Sequence, residues 1–177
     1  KILKSMNRKH TIEEYLKVLT KLTEARSDIK FSSDFIIGYP GETHQDFMET
    51  VELMNKIQFI NSFSFIFSAR PGTPAFTLNK LNEKETKKRL ILFQTTAEDI
   101  KNKYKKSLIN KIAKVLFENK MKSGNRYFGR DEYFNSVIVE SKKNLIGMIK
   151  NVKILKGNHN TLFGEIVSDE SQTSYAA

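Results

Sequence analysis

Asp34-Phe35-Ile36-Ile37-Gly38-Tyr39-Pro40-Gly41-Glu42-Thr43 decides how this chain folds, because an apolar run breaks into a glycine loop and then into a helix cap. Phe31 to Ile37 reads as a buried strand. Thr43 and Asp46 form a capping pair ahead of Phe47, Val51, Met54 and Ile57, which recur at helical spacing. A second aromatic-rich strand, Ser62 to Phe67, follows about thirty residues after the first, the spacing of a right-handed βαβ unit with parallel strands. It too runs into a turn-rich loop, Ser68-Ala69-Arg70-Pro71-Gly72-Thr73-Pro74.

Outward from this unit, Thr11-Ile12-Glu13-Glu14 is a capping box, and Ile12, Tyr15, Leu16, Leu19 and Leu22 predict an amphipathic helix over 12–26. On the other side Asn82 and Glu85 start a third helix carrying Leu90, Ile91, Phe93, Ala97, Ile100 and Tyr104, which grows more basic and reads as a linker. Beyond it the pattern changes to short strands: Ile112 to Phe117, Arg126 to Gly129, Phe134 to Val139, Ile146 to Leu155 and Leu162 to Val167. Gly and Asn punctuate the gaps, so 108–168 is expected to be a small antiparallel β-barrel. The fold class is thus α/β, with a parallel βα portion over 1–107, a small barrel over 108–168 and a disordered tail over 169–177.

Composition narrows the function classes. No run approaches the roughly 18 apolar residues that span a bilayer, so no membrane partner is expected. The absence of cysteine removes disulfides, a thiol nucleophile and thiolate-held metal from these residues, and His10, His44 and His159 have no ligand spacing. No metal site is therefore expected. The net charge of +10 is concentrated: from Lys101 to Arg130 ten Lys or Arg stand against the single acid Glu118, a local +9. A stretch of that sign suits a partner rich in phosphates, or else a solvated helix face.

In parallel α/β sheets, ligands bind beyond the carboxyl ends of the strands, where both glycine loops fall. Gly38 and Gly41 let backbone approach a ligand, Glu42 offers acceptors, the next helix offers free N–H groups, and Arg70 suits a carboxylate or phosphate. The alternative is that these Gly and Pro residues simply turn the chain. Neither loop matches a P-loop or a dinucleotide fingerprint.

The glycine loop, and Phe63-Ser64-Phe65-Ile66-Phe67-Ser68-Ala69-Arg70-Pro71-Gly72-Thr73-Pro74-Ala75 in register with it, resemble the fifth and sixth barrel strands of radical S-adenosylmethionine methylthiotransferases. Lys1 to Thr11, with Met6-Asn7-Arg8, is similar to the helix start after the family's fourth strand. Residues 109 to 167, with Gly129-Arg130-Asp131-Glu132 and Ile146-Gly147, resemble its terminal RNA-binding barrel, the TRAM domain. The arginine-containing loop resembles the tRNA branch rather than the ribosomal-protein branch.

The resemblance implies a tRNA methylthiotransferase acting at C2 of isopentenylated adenosine beside the anticodon. It implies a cytoplasmic monomer with S-adenosylmethionine, two 4Fe-4S clusters and an electron donor. One cluster cleaves S-adenosylmethionine reductively and the other supplies sulfur. The cluster ligands and the sulfur-donor domain are expected to precede Lys1, so no catalytic residue is expected here and the chain is expected to be inert alone. Ile37, Gly38, Gly41 and Glu42 with Phe67, Ser68 and Arg70 would form one wall of the S-adenosylmethionine pocket. In the tail domain Lys103, Lys105, Lys106, Lys120, Lys122, Arg126 and Arg130 would meet phosphates of a tRNA anticodon stem-loop. Tyr127, Phe128, Tyr133 and Phe134 can stack on unpaired bases, although some must fill the barrel. Competing readings are a stand-alone RNA-binding module from a split gene, a ribosomal-protein methylthiotransferase fragment, and an unrelated phosphate-binding α/β enzyme.

Overall fold

A computed structural model describes residues 1–167, which divide into two units between Lys101 and Asn102. The expected tail over 169–177 lies outside the described residues.

In the first unit, α1 (Ile2–Ser5) and α2 (Ile12–Ala25) precede β1 (Ser32–Ile37), α3 (His44–Ile57) and β2 (Asn61–Ile66). The Thr11 hydroxyl accepts from the Glu14 amide while the Glu14 carboxylate accepts from the Thr11 amide, so α2 begins where the capping box predicts. β1 and β2 pair in parallel, Ser32 opposite Asn61 through Ile37 opposite Ile66. One sheet face packs on helices: Phe35 meets the Phe59 and Phe93 rings at 5.5 and 4.7 Å, above Phe47, Val51 and Met54 of α3. The opposite face carries Ile36, Phe63 and Phe65, all exposed.

A 3₁₀ turn over Pro74–Thr77 leads to α4 (Glu83–Ser107). The Asn82 carboxamide oxygen accepts from the amides of Lys84 and Glu85, which fixes the start of this helix. The unit boundary falls inside α4, six residues before the change of pattern at 107/108.

The second unit is a closed barrel of β3 (Ile112–Lys120), β4 (Arg126–Asp131), β5 (Ser136–Glu140), β6 (Ile149–Gly157) and β7 (Thr161–Ile166), in the order β3-β4-β5-β7-β6. Strict alternation places Val115, Phe117, Tyr127, Val137, Val139, Val152, Ile154 and Leu162 inside. The barrel is not wholly antiparallel as expected: β5 and β7 run parallel, Ser136 opposite Thr161 to Val139 opposite Gly164. Closing five strands in this order brings the third and last strands side by side with the same sense, giving a mixed, OB-like barrel.

Two strands also start later than the apolar pattern suggests. Phe134 lies in a turn with φ 61°, and β5 begins at Ser136 because Asp131 folds the turn back, accepting from the Tyr133 and Asn135 amides. Residues 145–148 form a turn with Gly147 at φ 76°, and β6 begins at Ile149.

Candidate functional site

Both expected loops do open at one end of the parallel pair. The amide of Phe67, just past β2, donates to the carbonyl of Ile37, the last residue of β1, at 2.9 Å. The Tyr39 ring stands edge-on to Phe67 at 5.0 Å, and its hydroxyl donates to the Ser5 carbonyl at 2.8 Å. Glu42 and Arg70 therefore follow parallel strands at their carboxyl ends.

The polar groups of the first loop are spent within the protein. The Glu42 side chain is buried: Oε2 accepts from the Gly38 amide at 3.1 Å, and Oε1 lies 2.6 Å from Arg89 Nη1 of α4. Arg89 Nη1 also donates to the Glu42 and Thr43 carbonyls, and Nε to Glu85 at 3.3 Å. The start of α3 is closed by Thr43 and Asp46, whose carboxyl is held below the usual range by hydrogen bonds from the Thr43 hydroxyl and then the Thr43 amide. The expected free acceptors of Glu42 are thus occupied by Arg89 and Gly38, and the Asp46 amide in the first turn of α3 by the Thr43 hydroxyl.

The glycines divide as well. Gly38 has φ +75°, and a Cβ there would stand 2.4 Å from Thr86 Cγ2, so the glycine admits α4. Gly41 has φ +81° with nothing within 4 Å of its virtual Cβ, and Ser68 and Arg70 are exposed. Gly41, Ser68 and Arg70 remain open to a ligand, while Ile37, Gly38 and Glu42 shape the loop beneath them. Sequence reading missed Thr86 and Arg89, which lie more than forty residues from the loop they hold.

Among the described residues no group of His, Cys, Asp or Glu could hold a metal ion, and the chain has no cysteine, so its own residues do not fit an iron-sulfur cluster. A concavity of about 630 Å³ follows β2 from Ser62 to Phe65 beside Gln94 and Glu98 of α4. It is an open groove away from the strands' carboxyl ends.

On the barrel the expected RNA contacts separate. Lys103, Lys106, Lys120 and Lys122 are exposed. Lys105 is not: only 6% exposed, it donates through Nζ to the His159 carbonyl. Tyr127 fills the core, while Tyr133 is half-buried and meets the Tyr104 ring edge-on at 6.4 Å. Along β4, Arg126, Phe128 and Arg130 face outward, with the Arg130 guanidinium 5.4 Å from the Phe128 ring and 3.5 Å from Glu118. Arg126 donates to the Ser123 hydroxyl at 2.6 Å, Lys120 lies 5.9 Å from the Tyr127 ring, and Phe134 is 76% exposed. The strand register also brings Ile138, Phe163 and Lys156 to the face of Phe128, none of which the sequence pattern singled out.

Fold and site define a class before any particular relative. Residues 1–54 match the radical SAM superfamily and residues 106–167 match the TRAM domain, so the chain joins part of a radical SAM region to a small TRAM barrel. It is similar to tRNA-2-methylthio-N(6)-dimethylallyladenosine synthases over nearly its whole length. Identity is 51% with that of Pelagibacter ubique over 97% of this chain, 43% with that of Ruthia magnifica over 95%, and 40% with that of Maricaulis maris over 96%. The chain spans 38–39% of the length of these relatives.

Proposed function

We propose that this chain serves in tRNA modification, the methylthiolation at C2 of isopentenylated adenosine next to the anticodon, within a cytoplasmic radical S-adenosylmethionine methylthiotransferase. It contributes one wall of the S-adenosylmethionine pocket and the domain that holds tRNA; the whole enzyme also uses an electron donor and two 4Fe-4S clusters, whose cysteine ligands are not among these 177 residues. The supporting observation is the joining of two loops at one end of a parallel strand pair to a barrel with cations against outward rings. Gly41, Ser68 and Arg70 face the cofactor over a floor built by Ile37, Gly38, Glu42 and Phe67. S-adenosylmethionine supplies the methyl group and the oxidising fragment when bound. The barrel's cations hold phosphates, which position RNA without reading sequence.

Deletion of the gene should remove the methylthio group from the adenosine beside the anticodon, read by mass spectrometry of tRNA nucleosides; unchanged modification sinks the proposal. A second test needs only the chain. With about four to six phosphate contacts, log K for an anticodon stem-loop should fall with log salt at a slope of roughly −3 to −4. A salt-independent affinity contradicts the RNA-binding half of this reading.

A further inference from the structure

One row of side chains crosses the outer surface of the barrel. Phe128 of β4 stands opposite Ile138 of β5, Ile138 opposite Phe163 of β7, and Phe163 opposite Lys156 of β6. Register partners share a face, and the inward neighbours of these residues, Tyr127, Val137, Val139, Leu162 and Ile154, fill the core. Each end of the row is a ring carrying a cation. Arg130 lies 5.4 Å from the centre of Phe128, and Lys156 lies 5.8 Å from the centre of Phe163. Two strand spacings separate the rings, roughly 10 Å, with Ile138 between them.

The flanks of the row carry different groups. On one side Arg130 stands opposite Ser136, and Ser136 opposite Thr161, a cation and two hydroxyls in line. On the other side each carboxylate faces a cation, Glu140 of β5 opposite Arg126 of β4 and Glu165 of β7 opposite Lys153 of β6.

We infer that this row is a binding path for two successive unpaired nucleotides of an RNA strand, one base on Phe128 and the next on Phe163. The inference rests on the RNA-binding reading and extends it across the barrel to β6 and β7. Aromatic rings on a sheet accept bases of any sequence, whereas bases within a duplex are already stacked and unavailable. An exposed cation–π contact is weaker than a base–aromatic stack, so an arriving base takes the ring and the displaced cation takes the adjoining phosphate. The backbone runs on the side of Arg130, Ser136 and Thr161, whose guanidinium and hydroxyls can donate to phosphate oxygens, rather than on the side where Glu140 and Glu165 already face Arg126 and Lys153.

The test is fluorescence anisotropy of a labelled oligouridine of about ten nucleotides, a length one small barrel can cover, with the full chain. Phe163→Leu keeps an apolar filler but loses the π-face, and should weaken binding about five- to 150-fold with an unchanged salt slope. Lys156→Gln should flatten that slope by about 0.7. Glu140→Gln should tighten binding, and Ile149→Ala, at an exposed β6 position paired with Leu116 of β3, should leave it unchanged. Melting curves check that each variant is folded, and Lys156→Gln, altered at a surface head group, decides the matter if Phe163→Leu is not. If Lys156→Gln and folded Phe163→Leu bind like the unaltered chain while Phe128→Leu weakens, the strand stops at β5; this inference then fails and the proposed function stands. No binding by the unaltered chain overturns both. Displacement of the RNA by polyglutamate at comparable affinity assigns the row to an acidic protein segment and overturns the nucleotide path.

Discussion

Arg89 and Arg130 look alike by one measure. Each guanidinium sits over a phenylalanine, Arg89 at 5.6 Å from Phe47 and Arg130 at 5.4 Å from Phe128. They differ in what else surrounds them. Arg89 has a side chain 8% exposed and four acceptors, Glu42 Oε1, the Glu42 and Thr43 carbonyls and Glu85, so its charge is consumed inside the first unit. Arg130 is 41% exposed, with one carboxylate at 3.5 Å and the Phe134 carbonyl at 3.4 Å. The ring does not decide whether a cation is structural or available; the number of acceptors that saturate it does. A buried charge must be satisfied where it lies, while an exposed one keeps most of its hydration and can exchange water for a phosphate.

The largest expected effect breaks this contrast if it fails. Arg89→Met leaves the Glu42 carboxylate buried with only the Gly38 amide, and should cost about 3–5 kcal/mol. Arg130→Met should cost under about 1 kcal/mol, since its pair is exposed. Urea unfolding, with hydrogen exchange of the Gly38 amide to localise the loss to the first unit, measures both. Equal costs would refute the distinction. The same loop separates its glycines. Gly38→Ala meets Thr86 and should lose about 1–3 kcal/mol from overpacking besides about 1 for the left-handed backbone. Gly41→Ala has open space and should lose only about 1 kcal/mol. In a Thr86→Ser background the overpacking part of the Gly38→Ala cost should shrink; additivity would mean the two residues do not touch.

This contrast also marks what the sequence made legible. The capping boxes at Thr11 and Thr43, the parallel strand pair and its two loops were readable because caps, periodicity and glycine turns are local signals. So was the small barrel, whose apolar positions alternate. The Glu42–Arg89 pair was not, because a salt bridge across 47 positions leaves no periodic trace. The parallel β5–β7 pairing was missed for a related reason: alternation fixes which face a residue occupies but not which strand lies beside it. Charge density in 101–130 located the basic stretch, yet could not separate Lys105 from Lys106, one turned into the barrel unit and the other outward.

A pH effect sharpens the second unit's side of the comparison. The Tyr104 hydroxyl is buried, and burial first, then the nearby Asp131 charge, pushes its pKa from 10.0 to about 12. The folded state therefore favours the neutral phenol. That contribution is fully present below about pH 10, the ordinary value, and is lost as pH rises through about 12. Tyr104→Phe has no proton to lose there. The stability difference between unaltered chain and variant should fall across this window, read from urea midpoints at matched pH; a constant difference would show that the hydroxyl is solvated.

The smallest expected effect is a null one, and it comes from Lys105. Its neighbours Lys103 and Lys106 are exposed on α4, and each should contribute about 0.7 to the salt slope of RNA binding if it meets a phosphate. Lys105 is buried with its Nζ on the His159 carbonyl, so it releases no counterion when RNA arrives. Lys105→Met should lower the melting temperature of the barrel, because the buried lysine's hydrogen bond to the His159 carbonyl is lost. The salt slope of the folded variant should match that of the unaltered chain. Lys106→Met should do the reverse, flattening the slope with little change in stability. Anisotropy titrations at several salt concentrations, paired with melting curves for the same two variants, separate the cases. If Lys105→Met flattens the slope as much as Lys106→Met, the ammonium reaches the RNA. Acceptor saturation would then fail as the criterion that divides structural from available cations.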